Sequence, residues 1–170
     1  MIKHVKKILL CLVLLWSCQD KTRRNDIDIS RIQNAELTHS SGEWIMVDIL
    51  FSDFQKSRGL SGIKSSEFPE NKGAFFFFRR DGQRNFWMPD TYFNLDIIYL
   101  DKDLKIVEIH NNIPFHPGYK ESPPIPRMNS VWCRHVLEIK ASSAFSKLIK
   151  IGDVLKWNAK YSLKTIQKAF

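Results

Sequence analysis

Apolar residues along this chain fall in short runs, separated by turn-forming residues, and the period of each run predicts its element. Trp44-Ile45-Met46-Val47-Asp48-Ile49-Leu50 is a short, partly β-branched run behind Ser40-Ser41-Gly42, which reads as a strand entered through a hairpin turn. Ser52 and Gln55 have capping-box spacing and Gly59 can supply a positive φ, so residues 52–58 are expected to make one or two helical turns. Ala74-Phe75-Phe76-Phe77-Phe78 is apolar at every position, as suits a strand buried between layers. Asp81-Gly82 is a hairpin signal, and it predicts a partner strand from Arg84 to Met88 that Pro89 stops. Leu95–Leu100 and Leu104–His110 form a second expected hairpin about Asp101-Lys102-Asp103. Val131–Lys140 reads as one long strand, Ser143–Lys150 as a short amphipathic helix, and Val154–Trp157 as the closing strand.

Many short strands with regular turns predict a mainly β fold: an antiparallel β-sandwich or partly closed barrel with one or two short helices. Residues 111–130 resist this pattern. They hold five of the seven prolines and no strand alternation, and a loop of that length in a compact domain is commonly functional or disordered.

The amino terminus follows a different logic. Lys3, Lys6 and Lys7 precede the apolar run Ile8–Trp16, which is too short for a bilayer core that needs roughly 20 apolar residues. It suits the h-region of an export signal. The run ends in Leu15-Trp16-Ser17-Cys18, which resembles a bacterial lipobox, although Trp16 is bulkier than usual. Residues 1–17 are therefore expected to be a lipoprotein signal. Cys18 would be the lipidated residue, its acyl chains inserted in a lipid bilayer, and 18–30 a polar tether. Residues 31–158 would form a single β-rich domain, followed by a basic tail over 159–170. Several acyl chains, at about 0.8 kcal/mol per buried methylene, make such an anchor effectively permanent. Gln19, not Asp, follows the cysteine, so the expected location is the cell envelope, at the outer membrane.

Charge and cysteine content narrow this picture. The formal net charge is +8, but Lys3, Lys6 and Lys7 belong to the signal, which leaves about +5, an excess that bears on solubility and surface association. No nucleic-acid signature is present. Of the three cysteines, Cys11 leaves with the signal and Cys18 carries lipid, so Cys133 has no intramolecular disulfide partner. It is expected to be a buried, apolar-like residue.

Particular motifs in the middle of the chain carry a resemblance. Arg58-Gly59-Leu60, Gly73–Phe78, Phe86-Trp87-Met88-Pro89-Asp90-Thr91 and Leu95-Asp96-Ile97-Ile98 stand in order, followed by Val136-Leu137-Glu138-Ile139 and Ile151-Gly152-Asp153-Val154. Together they resemble the bacterial and archaeal family called domain of unknown function 192, over about residues 31–157. Three positions depart from its pattern: Ser61 stands in place of a usual Met, Asp90 of a usual Asn, and Ser143 near a usual Gly. The resemblance implies a compact, mainly β fold, often found on exported proteins, with no established activity.

Candidate chemistry is sparse. Asp96 interrupts an apolar strand, and a carboxylate there must be paired or hydrogen-bonded. One reading has it accepting from backbone N–H groups or the Thr91 hydroxyl to fix the Pro89-Asp90-Thr91 turn; the other makes it a general acid or base. Trp87, Asp90 and Thr91 combine an apolar platform with polar tips, as small-ligand pockets do, though Trp87 could equally fill the core. Arg58 could bind an anion, or pair with Asp53 or Glu138. Glu138 points away from the face of Leu137 and Ile139, where pairing with Arg58 or Lys140 is the ordinary expectation. His110, His116 and His135 lack metal-ligand spacing, so no metal and no cofactor is expected. No nucleophile motif assigns a catalytic residue.

The leading expectation is a non-catalytic, membrane-tethered β domain that binds a small molecule or envelope glycan through Arg58, Trp87, Asp90, Thr91, Asp96 and Glu138. Two alternatives stand beside it. One is an envelope hydrolase that uses Asp96 and Glu138 as its carboxylate pair. The other is a protein-interaction module that uses the proline-rich loop 111–130.

Overall fold

A computed structural model describes residues 32–169. The expected signal, Cys18 and the tether to residue 30 lie outside the described residues. The strands are β1 (Asn34–Thr38), β2 (Trp44–Leu50), β3 (Lys72–Phe76), β4 (Gly82–Arg84), β5 (Leu95–Leu100), β6 (Ile106–Ile113), β7 (Val131–Cys133), β8 (His135–Lys140) and β9 (Lys156–Asn158). Short helices are α1 (Asp53–Arg58), α2 (Ala144–Leu148) and α3 (Leu163–Ala169), the last within the expected tail.

Seven strands form one mixed sheet in the order β6-β5-β8-β3-β2-β1-β9, and β4 pairs with β7 in a small second sheet. The large sheet curls into a half-barrel. The turn ahead of β9 meets the edge strand at the other end: Ile106 N–H donates to Asp153 O at 2.8 Å and Leu155 N–H to Leu104 O at 3.1 Å. The fold is therefore mainly β and a partly closed barrel.

Both faces of the central strands are buried, which is why their sequences run apolar without alternation. All six residues of β5 and of β8 are buried. Phe75, Ile98, Leu100, Leu137 and Ile139 pack inside the curl with Ile45, Val47, Ile49, Phe145 and Ile166. Ala74, Phe76, Leu95, Ile97, Tyr99 and Val136 face the other way, onto Leu60, Phe68, Met88 and Phe93. The expected two-sided burial of the phenylalanine run is thus correct. Gly73 allows β3 to lie close to β8, since a Cβ there would stand 2.9 Å from Leu137 Cδ1 and 3.0 Å from Ile139 Cγ2.

Local signals predicted several elements well. The α1 capping box between Ser52 and Gln55 is formed on both sides, the β5–β6 hairpin turns about residues 101–105, and Ser143 caps α2. Long-range pairing differs from expectation in three places. First, β2 and β3 are parallel, so residues 51–71 form a crossover that carries α1 and Leu60 over the outer face. Second, Asp81-Gly82 does not return the chain onto β3: β4 pairs with β7 instead, and Asp81 Oδ1 accepts from Arg134 Nε at 2.6 Å. Third, the strand expected from Val131 to Lys140 breaks at Arg134, which lets β7 leave the large sheet and join β4.

The proline-rich segment is a tied-down strap. Met88 N–H donates to Pro126 O (3.0 Å), Asp90 N–H to Gly118 O (2.7 Å), Thr91 N–H to His116 O (3.0 Å) and Met128 N–H to Phe86 O (2.9 Å). These bonds satisfy the backbone of 86–91, which has no place in either sheet.

Candidate functional site

The crossover, the β4–β7 ribbon and the strapped segment 86–91 stand over the outer face of the large sheet and leave a cavity of about 420 Å³ between them. Its wall from α1 and the following turn comprises Lys56, Arg58, Gly59 and Ser61. The opposite wall comprises Gln83, Arg84, Phe86, Trp87 and Thr91, with Phe76, Phe78 and Glu138 lining it from the sheet side.

Glu138 is placed here by register. It sits opposite Ile97 on β5 and Ala74 on β3, so it shares the outer face, where every other neighbour in the middle of the sheet is apolar. The residue is buried, and its Oε2 has no hydrogen-bond partner. Burial pushes its carboxyl up to about 8, so at neutral pH it is mostly a neutral acid that can donate as well as accept. Neither expected partner reaches it: Lys140 Nζ bonds Ser65 O (3.0 Å) and Glu70 Oε1 (3.2 Å). Arg58, exposed at the end of α1, forms no ion pair among the described residues.

Gly59 covers the carboxyl. Its φ of 50° and ψ of −127° favour glycine, and a Cβ would stand 3.2 Å from Phe76 Cζ and 3.4 Å from Glu138 Oε2. Arg84, which the sequence reading did not single out, is the second polar group of the cavity without a full set of partners. Its guanidinium carbon lies 3.8 Å from the Phe78 ring centroid and one Nη donates to Arg80 O at 2.6 Å. Its buried Nε has no hydrogen-bond partner, and desolvation lowers its pKa. Lys56 Nζ lies 4.9 Å from the same Phe78 ring and pairs with Asp53 at 3.2 Å. The local signal for Arg84 was only an arginine between two aromatic runs.

The remaining expected residues divide. Trp87 lines the cavity and is 46% exposed, with the Arg127 guanidinium 5.2 Å from its ring centroid. Thr91 also lines it, but its hydroxyl is engaged, donating to Met88 O and accepting from His116 N–H, both at 3.0 Å. Asp90 orders the wall from behind. It has a φ of 51°, a conformation that Asp and Asn tolerate, and its Oδ1 accepts from Tyr92 OH (2.8 Å) and Gly118 N–H (3.1 Å). Ser61 Oγ–H donates to Pro89 O at 2.8 Å, tying the two walls together.

Asp96 is elsewhere. It pairs in register with Ile139, so alternation directs it to the face opposite Glu138. Its Oδ1 accepts from Asn112 N–H at 2.6 Å and its Oδ2 from the Ser146 hydroxyl. It therefore joins β6 to α2 and does not touch the Pro89-Asp90-Thr91 turn.

The histidines are scattered. His135 lies in the inner core between Phe75 and Phe77, its ring 5.1 and 5.0 Å from theirs; burial pulls its pKa down to about 3. His116 Nε2 bonds Pro123 O within the strap at 2.9 Å. His110 Nδ1 lies 3.3 Å from Tyr99 OH. Among the described residues, no three His, Cys, Asp or Glu side chains gather into a metal-binding group. Cys133 is buried, and burial raises its thiol to about 11.

The family profile of domain of unknown function 192, described as Uncharacterized ACR, matches residues 35–157. The chain belongs to this family. That stretch contains the whole cavity, the strap and every buried residue of the two cores except Ile32 and Ile166. A comparison with curated proteins returns no match. Two crystal structures share the fold. One, from Sinorhizobium meliloti 1021 and provisionally described as a transcription regulator, is 24% identical with a TM-score of 0.59, over 73% of this chain and 92% of that one. The other, a protein of unknown function from Novosphingobium aromaticivorans, is 23% identical with a TM-score of 0.58, over 73% and 84%. At these identities the likeness concerns the fold alone.

Proposed function

We propose that this member of an uncharacterised family is a binding domain that takes a small molecule or the terminal unit of an envelope glycan in the cavity above β8. The observation that supports it is Glu138, a buried carboxyl among the residues that line the cavity, whose Oε2 has no hydrogen-bond partner. A buried polar group without a partner is costly, about 1–3 kcal/mol, and a bound ligand would supply the missing bond. Trp87, half-exposed at the wall, offers a ring face for stacking. The chemistry is binding rather than hydrolysis: Asp96 and Glu138 occupy opposite faces of the sheet, so they do not form a carboxylate pair across one substrate. The strap 111–130 serves the wall of the cavity, which weakens its claim as a separate contact surface, although Phe115 and Tyr119 on it are exposed.

In this reading the domain is held at the bacterial envelope, at the outer membrane, by acyl chains on Cys18. Cys18→Ser should abolish partitioning into a detergent phase. A screen of small fragments and short oligosaccharides by ¹⁵N NMR tests the binding itself. Shifts should converge on residues 58–61, 84–91 and 138. Shifts confined to Phe115 and Tyr119 would move the function to the strap.

A further inference from the structure

The strap holds one edge of the segment that precedes Pro89 and leaves the other edge free. Exposure alternates residue by residue from Gln83 to Met88, as in a strand. Phe86 O accepts from Met128 N–H and Met88 N–H donates to Pro126 O, so both residues turn main-chain groups toward the strap. Trp87 lies between them, opposite Arg127, and its N–H and C=O therefore point to the other edge. The same alternation turns the N–H and C=O of Asn85 that way. None of these four groups makes a hydrogen bond among the described residues. The free edge faces the turn after α1 across the cavity. Pro89 O, two residues further along that edge, accepts from Ser61 Oγ–H at 2.8 Å, and Asn85, Trp87, Arg58 and Gly59 line one space beside that closure.

We propose that the ligand is a short extended peptide, which adds to this edge as a third strand of the β4–β7 ribbon and pairs its main chain with that of Asn85 and Trp87. This rests on the binding reading above and names the class of the small molecule. An unpaired strand edge presents donors and acceptors at the spacing of another strand, and recognition by strand addition draws its affinity from those main-chain bonds. From Gln83 to Trp87 the edge runs about 13 Å, room for about three or four ligand residues, before the Ser61–Pro89 bond ends it. Alternate side chains of the added strand would point to the sheet side, where Phe76 and Phe78 give an apolar floor, and outward beside the exposed Trp87. A glycan would use the Trp87 ring, but it has no main chain of paired donors and acceptors to match the edge.

The probes are capped tetrapeptides, acetyl-Ala-X-Ala-X-amide with X as Val, Leu or Phe, titrated to millimolar concentration into the chain lacking residues 1–18, which retains every described residue. Amide signals are followed by ¹⁵N NMR. Those of Asn85 and Trp87 should move downfield and exchange with solvent more slowly on binding. Asn85→Pro removes an N–H from the free edge and breaks no bond of the fold, since proline is tolerated where the N–H faces away from the sheet. Asn85→Ala loses the same side chain and keeps the N–H. The first should bind about tenfold more weakly than the second, the worth of one hydrogen bond whose partner is left unmet. Methylating alternate peptide amides gives the same test without altering the protein: one alternate set should cost about tenfold more affinity than the other. Equal binding by the two variants, or equal effects of the two methylated sets, would overturn the main-chain pairing. Shifts at Asn85 and Trp87 that grow with protein concentration alone would give the edge to a second copy and overturn it too. If peptides leave these signals unmoved while fragments or oligosaccharides shift residues 58–61, 84–91 and 138, the peptide class falls and the binding domain stands. If nothing moves them, both fall.

Discussion

Asp96 and Glu138 stand on neighbouring strands, both buried, both flanked by apolar residues in sequence, and yet they have opposite environments. Asp96 faces the inside of the curl near its edge, where Asn112 N–H and the Ser146 hydroxyl come to it. Glu138 faces the other way, into a cavity whose neighbouring groups leave Oε2 unpartnered. The difference follows from register: one residue along the strand exchanges the faces. A buried carboxylate with its bonds made is part of the scaffold, and one without them stores a demand for a partner. Only the second lies beside a cavity.

The comparison breaks first on stability. Asp96→Ala leaves the Asn112 amide and the Ser146 hydroxyl without their charged acceptor, and should cost about 4 kcal/mol in urea unfolding. A loss under about 1 kcal/mol would mean that Asp96 is no part of the frame.

Glu138→Gln should have the opposite sign, and its effect should grow with pH. The folded carboxyl holds its proton to about 8, against an ordinary value of 4.5. Between those values the unfolded chain releases a proton that the folded protein keeps, so the unfolded state binds fewer protons and stability falls as pH rises. Below pH 4.5 the variant should match the parent. By pH 8.5 it should be more stable by about 4 kcal/mol, most of what linkage between 4.5 and 8 gives. His135 gives the mirrored case in the other core: its folded pKa of about 3 lies below the ordinary 6.5, so its contribution is whole above 6.5 and is lost as pH falls toward 3. The parent should therefore be most stable between about pH 4.5 and 6.5, and thermal melts across pH 3–9 would show it.

Smaller effects sharpen the boundary of the site. Gly59→Ala places a Cβ against Phe76 and Glu138 in a glycine conformation, and should cost about 2 kcal/mol while weakening any cavity ligand. Thr91→Val removes the hydroxyl that bridges Met88 O and His116 N–H, and should cost about 1 kcal/mol. Its effect should be concentrated in faster amide exchange over residues 114–128.

Much of the frame was legible because it rests on local chemistry. The Ser52–Gln55 capping box, the turn about 101–103 and the short helix after Ser143 each involve residues within a few positions of one another. The two-sided burial of Phe75–Phe77 and the direction of Glu138 away from Leu137 followed from strand alternation. The cavity was half legible for the same reason. Arg58, Trp87, Thr91 and Glu138 were singled out and do line it, but Asp96 was grouped with them because adjacency along the chain does not reveal which face a register selects. Arg84 was missed since its role depends on β4 pairing with β7, a contact some 50 residues away that the nearer Asp81-Gly82 signal obscured. The parallel pairing of β2 with β3, which brings Gly59 over Glu138, is likewise a property of the whole sheet and of no single run.

The most direct test of the account is a ¹³C NMR titration of the Glu138 side-chain carboxyl in the unliganded domain, with Glu138→Gln to assign the signal. A midpoint near 8 is predicted. A midpoint near the ordinary 4.5 would mean that the carboxyl is already solvated or paired, and that no unmet demand lines this cavity.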